Sequence, residues 1–143
     1  MKHTDARMAA LIAYFEQLQP GDIAHLGQLY TEHAYFQDPF NEVTGLGEIQ
    51  RVFGHMFETL ASPRFVVLDA IRQGSQGFIS WDLLFRLKGQ TQQRRIHGSS
   101  HLRFAPDGRV SYHRDYWDAA AQVYEQLPLL GSVLRFIKKR LRA

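Results

Sequence analysis

Apolar residues recur at helical spacing near the start of the chain: Met8, Leu11, Ile12, Phe15 and Leu18, with Tyr14 beside Leu11 and Leu18 on the same side. A first helix is expected there, ending before Pro20-Gly21. Asp22 is placed to cap a short second helix carrying Ile23, Leu26, Leu29 and Tyr30. Ala34 to Asp38 reads as a short strand stopped by Pro39. From Gly45 to Leu60 the helical period returns, with Ile49, Val52, Phe53, Met56, Phe57 and Leu60 as its stripe. After Ser62-Pro63 the period drops to two. Arg64 to Gln73 reads as β, and Phe78 to Lys88 alternates Ile79, Trp81, Leu83 and Phe85 against Ser80, Asp82, Leu84 and Arg86.

The longest alternating stretch, Ile96 to Asp118, predicts two strands joined at Ala105-Pro106-Asp107-Gly108. There Pro presets φ, Asp bonds back to the backbone and Gly accepts positive φ. On the first strand Ile96, Gly98, Ser100, Leu102 and Phe104 face inward, and Arg95, His97, Ser99, His101 and Arg103 face outward. The second strand divides into Ser111, His113, Asp115 and Trp117 against Val110, Tyr112, Arg114 and Tyr116, and neither set is simply apolar. A three-residue loop would pair His101 with His113 and turn both outward. A four-residue loop would pair Ser100 with His113 and turn them inward, setting an imidazole and a carboxylate in the interior.

Helices, then long antiparallel strands, then a helical tail interrupted at Leu127-Pro128 make an α+β domain, with a concave cavity where the sheet wraps its helices. The length of 143 residues suits one domain with a substantial core. An aromatic share of 13% suits a large apolar interior or pocket. With no cysteine, disulfides, thiolate zinc sites and cysteine nucleophiles are excluded. His97 and His101 could be half of a metal site, but spacing offers no third ligand, so no metal is expected. The start lacks the unbroken apolar run of a secretory signal, and no run reaches membrane-spanning length; cytoplasm is the expected compartment.

The net charge of +3 conceals an asymmetry. Arg135, Lys138, Lys139, Arg140 and Arg142 fall in the last nine residues, so the chain before them nets −2. A nucleic-acid partner for the whole domain loses its support at that point. The tail is amphipathic, with Leu130, Val133, Leu134, Ile137 and Leu141 opposite Arg135, Lys138, Lys139 and Arg142. Docking on the domain or a dimer contact is the first expectation for it, and contact with an anionic membrane surface the second.

Particular residues carry a family resemblance. Ala13-Tyr14-Phe15-Glu16, Gly21-Asp22-Ile23, Leu29-Tyr30 and Asp38-Pro39-Phe40 resemble the first third of bacterial ketosteroid isomerases. Leu102-Arg103-Phe104, Asp107-Gly108-Arg109-Val110 and Tyr116-Trp117 are similar to their last two strands. Both point to the nuclear transport factor 2-like superfamily, which also holds the SnoaL-like polyketide cyclases. The resemblance implies a cone-shaped fold over residues 1–118, with N-terminal helices packed on a strongly curved antiparallel sheet. Residues 119–143 form an extension beyond it. Asp38 then stands where the isomerases keep the carboxylate that shuttles a proton at carbon, and Tyr14 where a tyrosine bonds the developing enolate. Tyr30 matches a supporting tyrosine, and Phe53 replaces a second. Ser100 departs from the pattern, replacing the protonated aspartic acid that completes the isomerase oxyanion hole. Asp115, His113 and Trp117 lie on the strand face that lines the family's pocket, with Asp115 in the place of a pocket acid.

Each residue also has a plainer reading. Asp38-Pro39 is ordinary turn chemistry. Tyr14 on a helical stripe could be core, as could Trp81, Phe85 and Trp117, which otherwise make an aromatic wall for a flat apolar ligand. The leading expectation is a cofactor-independent acid–base enzyme of isomerase, cyclase or dehydratase type on an apolar carbonyl or hydroxyl compound. Asp38 would move the proton, Tyr14 and Ser100 would hold the oxyanion, and Asp115, oriented by His113, would be the second acid–base group. Epoxide hydrolysis lacks a matched arginine. The alternative is a non-catalytic binder of a lipid-like ligand, or a module dimerising through the outer sheet face.

Overall fold

Asp5 begins the architecture. In the computed structural model, which describes residues 5–123 and 128–142, its carboxylate accepts the Met8 N–H at 3.0 Å and so caps α1 (Ala6–Glu16). Arg72 grips the same carboxylate from across the chain at 2.6 Å. These contacts hold the Asp5 carboxyl down at about 2. α1 buries Met8, Leu11, Ile12 and Phe15, as its spacing predicts. The next segment is a 3-10 helix, Pro20–Gln28, capped by Gln19 and not by Asp22. Asp22 is its third residue and reaches back to the Gln19 N–H at 2.8 Å. Tyr30, expected on this helix, instead opens a strand.

Six strands form one sheet: β1 (Tyr30–Gln37), β2 (Glu42–Thr44), β3 (Leu60–Gln73), β4 (Gln76–Leu87), β5 (Gln93–Phe104) and β6 (Val110–Trp117). Their order is β2-β1-β6-β5-β4-β3. The four long strands pair antiparallel, but β1 runs parallel to β6, so the sheet is mixed and not antiparallel throughout. The helix α2 (Leu46–Thr59) enters at Gly45, whose φ of +108° glycine tolerates, and buries Ile49 and Phe53. The sheet curves around α1 and α2. Their apolar faces meet Ile79, Trp81, Leu83, Phe85, Ile96, Leu102 and Phe104 in one core. This is the α+β arrangement that the alternation and the resemblance predict.

The central hairpin takes neither of the two expected registers. Phe104 pairs with Val110, Arg103 with Tyr112, and Leu102 with His113. One extra residue, Ser111, is therefore inserted as a bulge. The bulge turns Val110 inward together with His113 and Asp115, and it puts Ser111 in neither row. That is why no strict alternation sorts the polar from the apolar residues of this strand. The irregularity at Ser62-Pro63 is likewise a bulge inside β3 and not its beginning.

After β6, Asp118 caps the short α3 (Ala119–Gln122), accepting the Ala121 N–H at 2.9 Å. Gln122 clamps β5 with two bonds to the backbone of His97, at 2.6 and 3.0 Å. Residues 124–127 and 143 and the side chains of 128–130, including Leu130 of the tail stripe, lie outside the described residues. In α4 (Pro128–Leu141) three residues of the expected stripe, Val133, Ile137 and Leu141, are exposed, as is Phe136 beside them, and Leu134 is half-buried. No helix among the described residues is long and apolar enough to cross a membrane.

Candidate functional site

A continuous line of hydrogen bonds crosses the inner face of the sheet. Trp81 on β4 donates its Nε1–H to Ser100 Oγ on β5 at 2.8 Å. Ser100 donates its own proton to Asp115 Oδ1 on β6 at 2.5 Å. The same Oδ1 lies 2.6 Å from His113 Nε2, and His113 Nδ1 lies 2.7 Å from the Tyr30 hydroxyl on β1. Register places them: Ser100 pairs with Asp115, and the bulge before Tyr112 brings His113 to the same face. Ser100 and His113 are 2% and 3% exposed, so each polar atom must find its partner inside the protein, and each does.

The proton positions follow from the chemistry of the partners. Tyr30 is fully buried. Burial, then the negative charge of Asp115, pushes its hydroxyl well above the usual tyrosine range, so it stays protonated. With a neutral imidazole, both bonds are satisfied when Tyr30 donates to Nδ1 and Nε2–H donates to Asp115. Phe15, Phe36 and Tyr30 pack around the ring, with centroids 5.7, 4.8 and 5.9 Å away.

Glycine makes room for the line's first member. A Cβ on Gly98 would lie 2.8 and 2.9 Å from Trp81 Cη2 and Cζ2, and 3.0 Å from Trp117 Cβ. The indole of Trp81 occupies the space that any other residue at 98 would fill.

Below this line the sheet and α2 enclose a cavity of about 800 Å³. Its wall is largely apolar and rich in aromatic rings, with Phe15, Phe36, Phe53, Phe65, Trp81, Phe85 and Trp117. Asp38, Asn41, Arg94, Ser100, His113 and Asp115 are among its polar members. Of the residues singled out in the sequence, Asp38, Asp115, Ser100, His113, Trp117, Trp81, Phe53 and Phe85 all come together here, with Tyr30 directly behind.

Two of the expected roles change. Tyr14 is not on the wall: its hydroxyl turns to the carbonyls of Asp22 and His25, at 3.5 and 3.4 Å. Burial, then the Asp22 charge, raises it. One residue is about 100° of helix, and it is Phe15 that faces the cavity. Ser100 is on the wall, but its proton is committed to Asp115, so it has none to offer an oxyanion.

Asp38 makes its turn and also reaches the cavity. In the turn its Oδ1 accepts the N–H groups of Phe40 and Asn41 at 2.8 and 2.7 Å and the Asn41 side chain at 3.1 Å. The parallel pairing of Gln37 with Arg114 sets Asp38, the residue that follows β1, next in register to Asp115 on β6. Sequence reading missed Phe15, Phe36, Phe65, Asn41 and Arg94. For Arg94 a signal existed: continuing the alternation two residues back from Ile96 turns it inward. Among the described residues no three His, Cys, Asp or Glu side chains converge as a metal site would require.

Comparison with known proteins agrees with this architecture. A ketosteroid isomerase-like protein from Catenulispora acidiphila DSM 44928, solved with trimethylamine, superposes with a TM-score of 0.71 at 19% identity, covering 88% of this chain and 96% of that one. A proposed SnoaL-like polyketide cyclase from Jannaschia sp. CCS1 gives 0.70 at 15%, covering 85% and 94%. An epoxide hydrolase from M. tuberculosis gives 0.68 at 15%, covering 92% and 96%. At these identities the likeness is one of fold, and the fold hosts several chemistries. No protein with a curated description matches the sequence. The profile of the SnoaL-like domain matches residues 11–113, from α1 to the histidine of the buried line, and the chain belongs to that family.

Proposed function

We propose that the protein is a cofactor-independent acid–base enzyme of isomerase, cyclase or dehydratase type, acting on a largely apolar carbonyl or hydroxyl compound in the cavity. One observation carries this reading. Asp115 Oδ1 is held twice, by Ser100 and His113, and among the described residues no hydrogen bond reaches Oδ2, on a residue of the cavity wall. A carboxylate fixed by one oxygen and open at the other is arranged as a general base. Oδ2 takes a proton from carbon beside a carbonyl and returns it to a second position. Asp38 is the second acid–base group, exchanging its expected primacy with Asp115. Asn41 has an amide N–H to offer the substrate oxygen in place of Tyr14 and Ser100.

A substrate-independent test is deuterium exchange into an apolar ketone. With 2-tetralone in D2O, proton NMR should record loss of the C1 proton signal faster than in buffer alone. A ketone that quenches tryptophan fluorescence, and so occupies the cavity, yet exchanges no faster than in buffer would leave a binder and not an enzyme.

The exposed stripe of α4 favours the second reading, a lipid-like ligand carrier that meets an anionic membrane. Flotation with phosphatidylserine vesicles, with and without residues 129–143, separates the two. The outer sheet face is the proposed homodimer surface. Ile71, Phe78 and Tyr116 are exposed there, and Phe78, His101, Tyr112 and Tyr35 form a row of ring contacts across β4, β5, β6 and β1.

A further inference from the structure

Arg94 stands at the far end of the cavity from the two carboxylates. It occupies the inward row of β5, opposite Phe85, and it lines the cavity. Its Nε is buried and has no hydrogen-bond partner. The guanidinium's recorded contact is one long bond, 3.5 Å, from Nη2 to Gln90 Oε1. Arg51, Arg72, Arg95 and Arg109 each pair with a carboxylate; among the described residues no carboxylate pairs with Arg94. A guanidinium cannot shed its proton, and a buried Nε–H left without an acceptor is costly. It also presents a planar fork that fits a carboxylate.

We propose that Arg94 is the binding site for a carboxylate at one end of the ligand. This inference rests on the reading of the cavity as the ligand site and narrows its ligand to an elongated apolar acid. Ser100, which is paired with Asp115, lies six residue steps along β5 from Arg94; that is roughly 20 Å of extended strand, shortened by the reach of the arginine. Phe85, Trp81 and Ile96 line the interval. The acid anchors at Arg94, the apolar body lies on this wall, and the far end meets Asp115 and Asp38. An apolar slot alone would accept the molecule in either direction, and the anchor fixes which end meets the carboxylates.

Both tryptophans of the chain line the cavity, so intrinsic fluorescence reads occupancy. The probes are decanoate and decan-1-ol, equal in length and different only in the head group. The wild type is expected to bind decanoate tighter by roughly tenfold or more, the scale of a charge-assisted bond. Arg94→Gln should abolish that preference while leaving the affinity for decan-1-ol unchanged, which also certifies that the variant is folded. Arg94→Lys should keep part of the preference, and added salt should reduce it in the wild type. Equal affinities in the wild type, or a preference that survives Arg94→Gln, overturns the anchor and leaves the cavity reading standing. Failure of both probes to alter the fluorescence overturns both.

Discussion

His113 and His101 lie on neighbouring strands of one sheet and live in different solvents. His113 faces inward, 3% exposed, with both ring nitrogens bonded and three aromatic rings packed around it. His101 faces outward, stacked on Phe78 at 4.5 Å, with Nε2 held by Gln76 at 2.7 Å and the Tyr112 ring at its edge. Inside, burial leaves each polar atom dependent on its protein partner. Outside, a lost partner is exchanged for solvent. The same residue type is therefore a fixed part of the site on one face and a replaceable contact on the other.

That contrast can be broken from the inside first. Tyr30→Ala should cost about 3–5 kcal/mol, the loss for a large buried aromatic, and Tyr30→Phe about 1–3 kcal/mol, since it strands His113 Nδ1 alone. Urea unfolding measures both. Next comes Gly98→Ala, whose methyl must displace the Trp81 indole; about 1–3 kcal/mol and a changed tryptophan emission are expected. An unchanged emission would mean that the indole does not need the space.

The smallest effect belongs to the outer face. Burial, then the Arg103 charge, lowers the His101 pKa from its ordinary 6.5. The folded protein thus binds the proton less readily than the unfolded chain. His101 costs no stability above that ordinary value; stability falls as pH drops through it and levels off below the lowered folded value. His101→Gln should remove a small part of the acid-side loss below the ordinary histidine value of 6.5, measured as the difference in melting temperature.

The sequence was most readable where one face was plainly apolar. The alternation of β4 and β5 sorts their residues correctly, because one row is buried throughout. On β6 a polar inner row and the Ser111 bulge defeat any pattern of period two. The parallel pairing of β1 with β6 joins segments some 80 residues apart and leaves no local trace, yet it brings Asp38 next in register to Asp115. The resemblance brought both carboxylates to attention, but not the hydrogen bonds that distinguish them. Tyr14 failed by a rotation: a partly apolar tyrosine suits the flank of a helix as well as its stripe, and its hydroxyl found backbone carbonyls there. β2 is three residues long, too short to show a period.

The most direct measurement compares deuterium exchange into 2-tetralone by Asp115→Asn and Asp38→Asn. An asparagine at 115 can keep its carbonyl oxygen between Ser100 and His113 and present only an amide to the cavity, so the fold should survive. Asp115→Asn is expected to lower the exchange rate about 10²–10⁴-fold with tryptophan quenching by the ketone retained, and Asp38→Asn to lower it less. An Asp115→Asn protein that binds and exchanges like the wild type would contradict the assignment of the base.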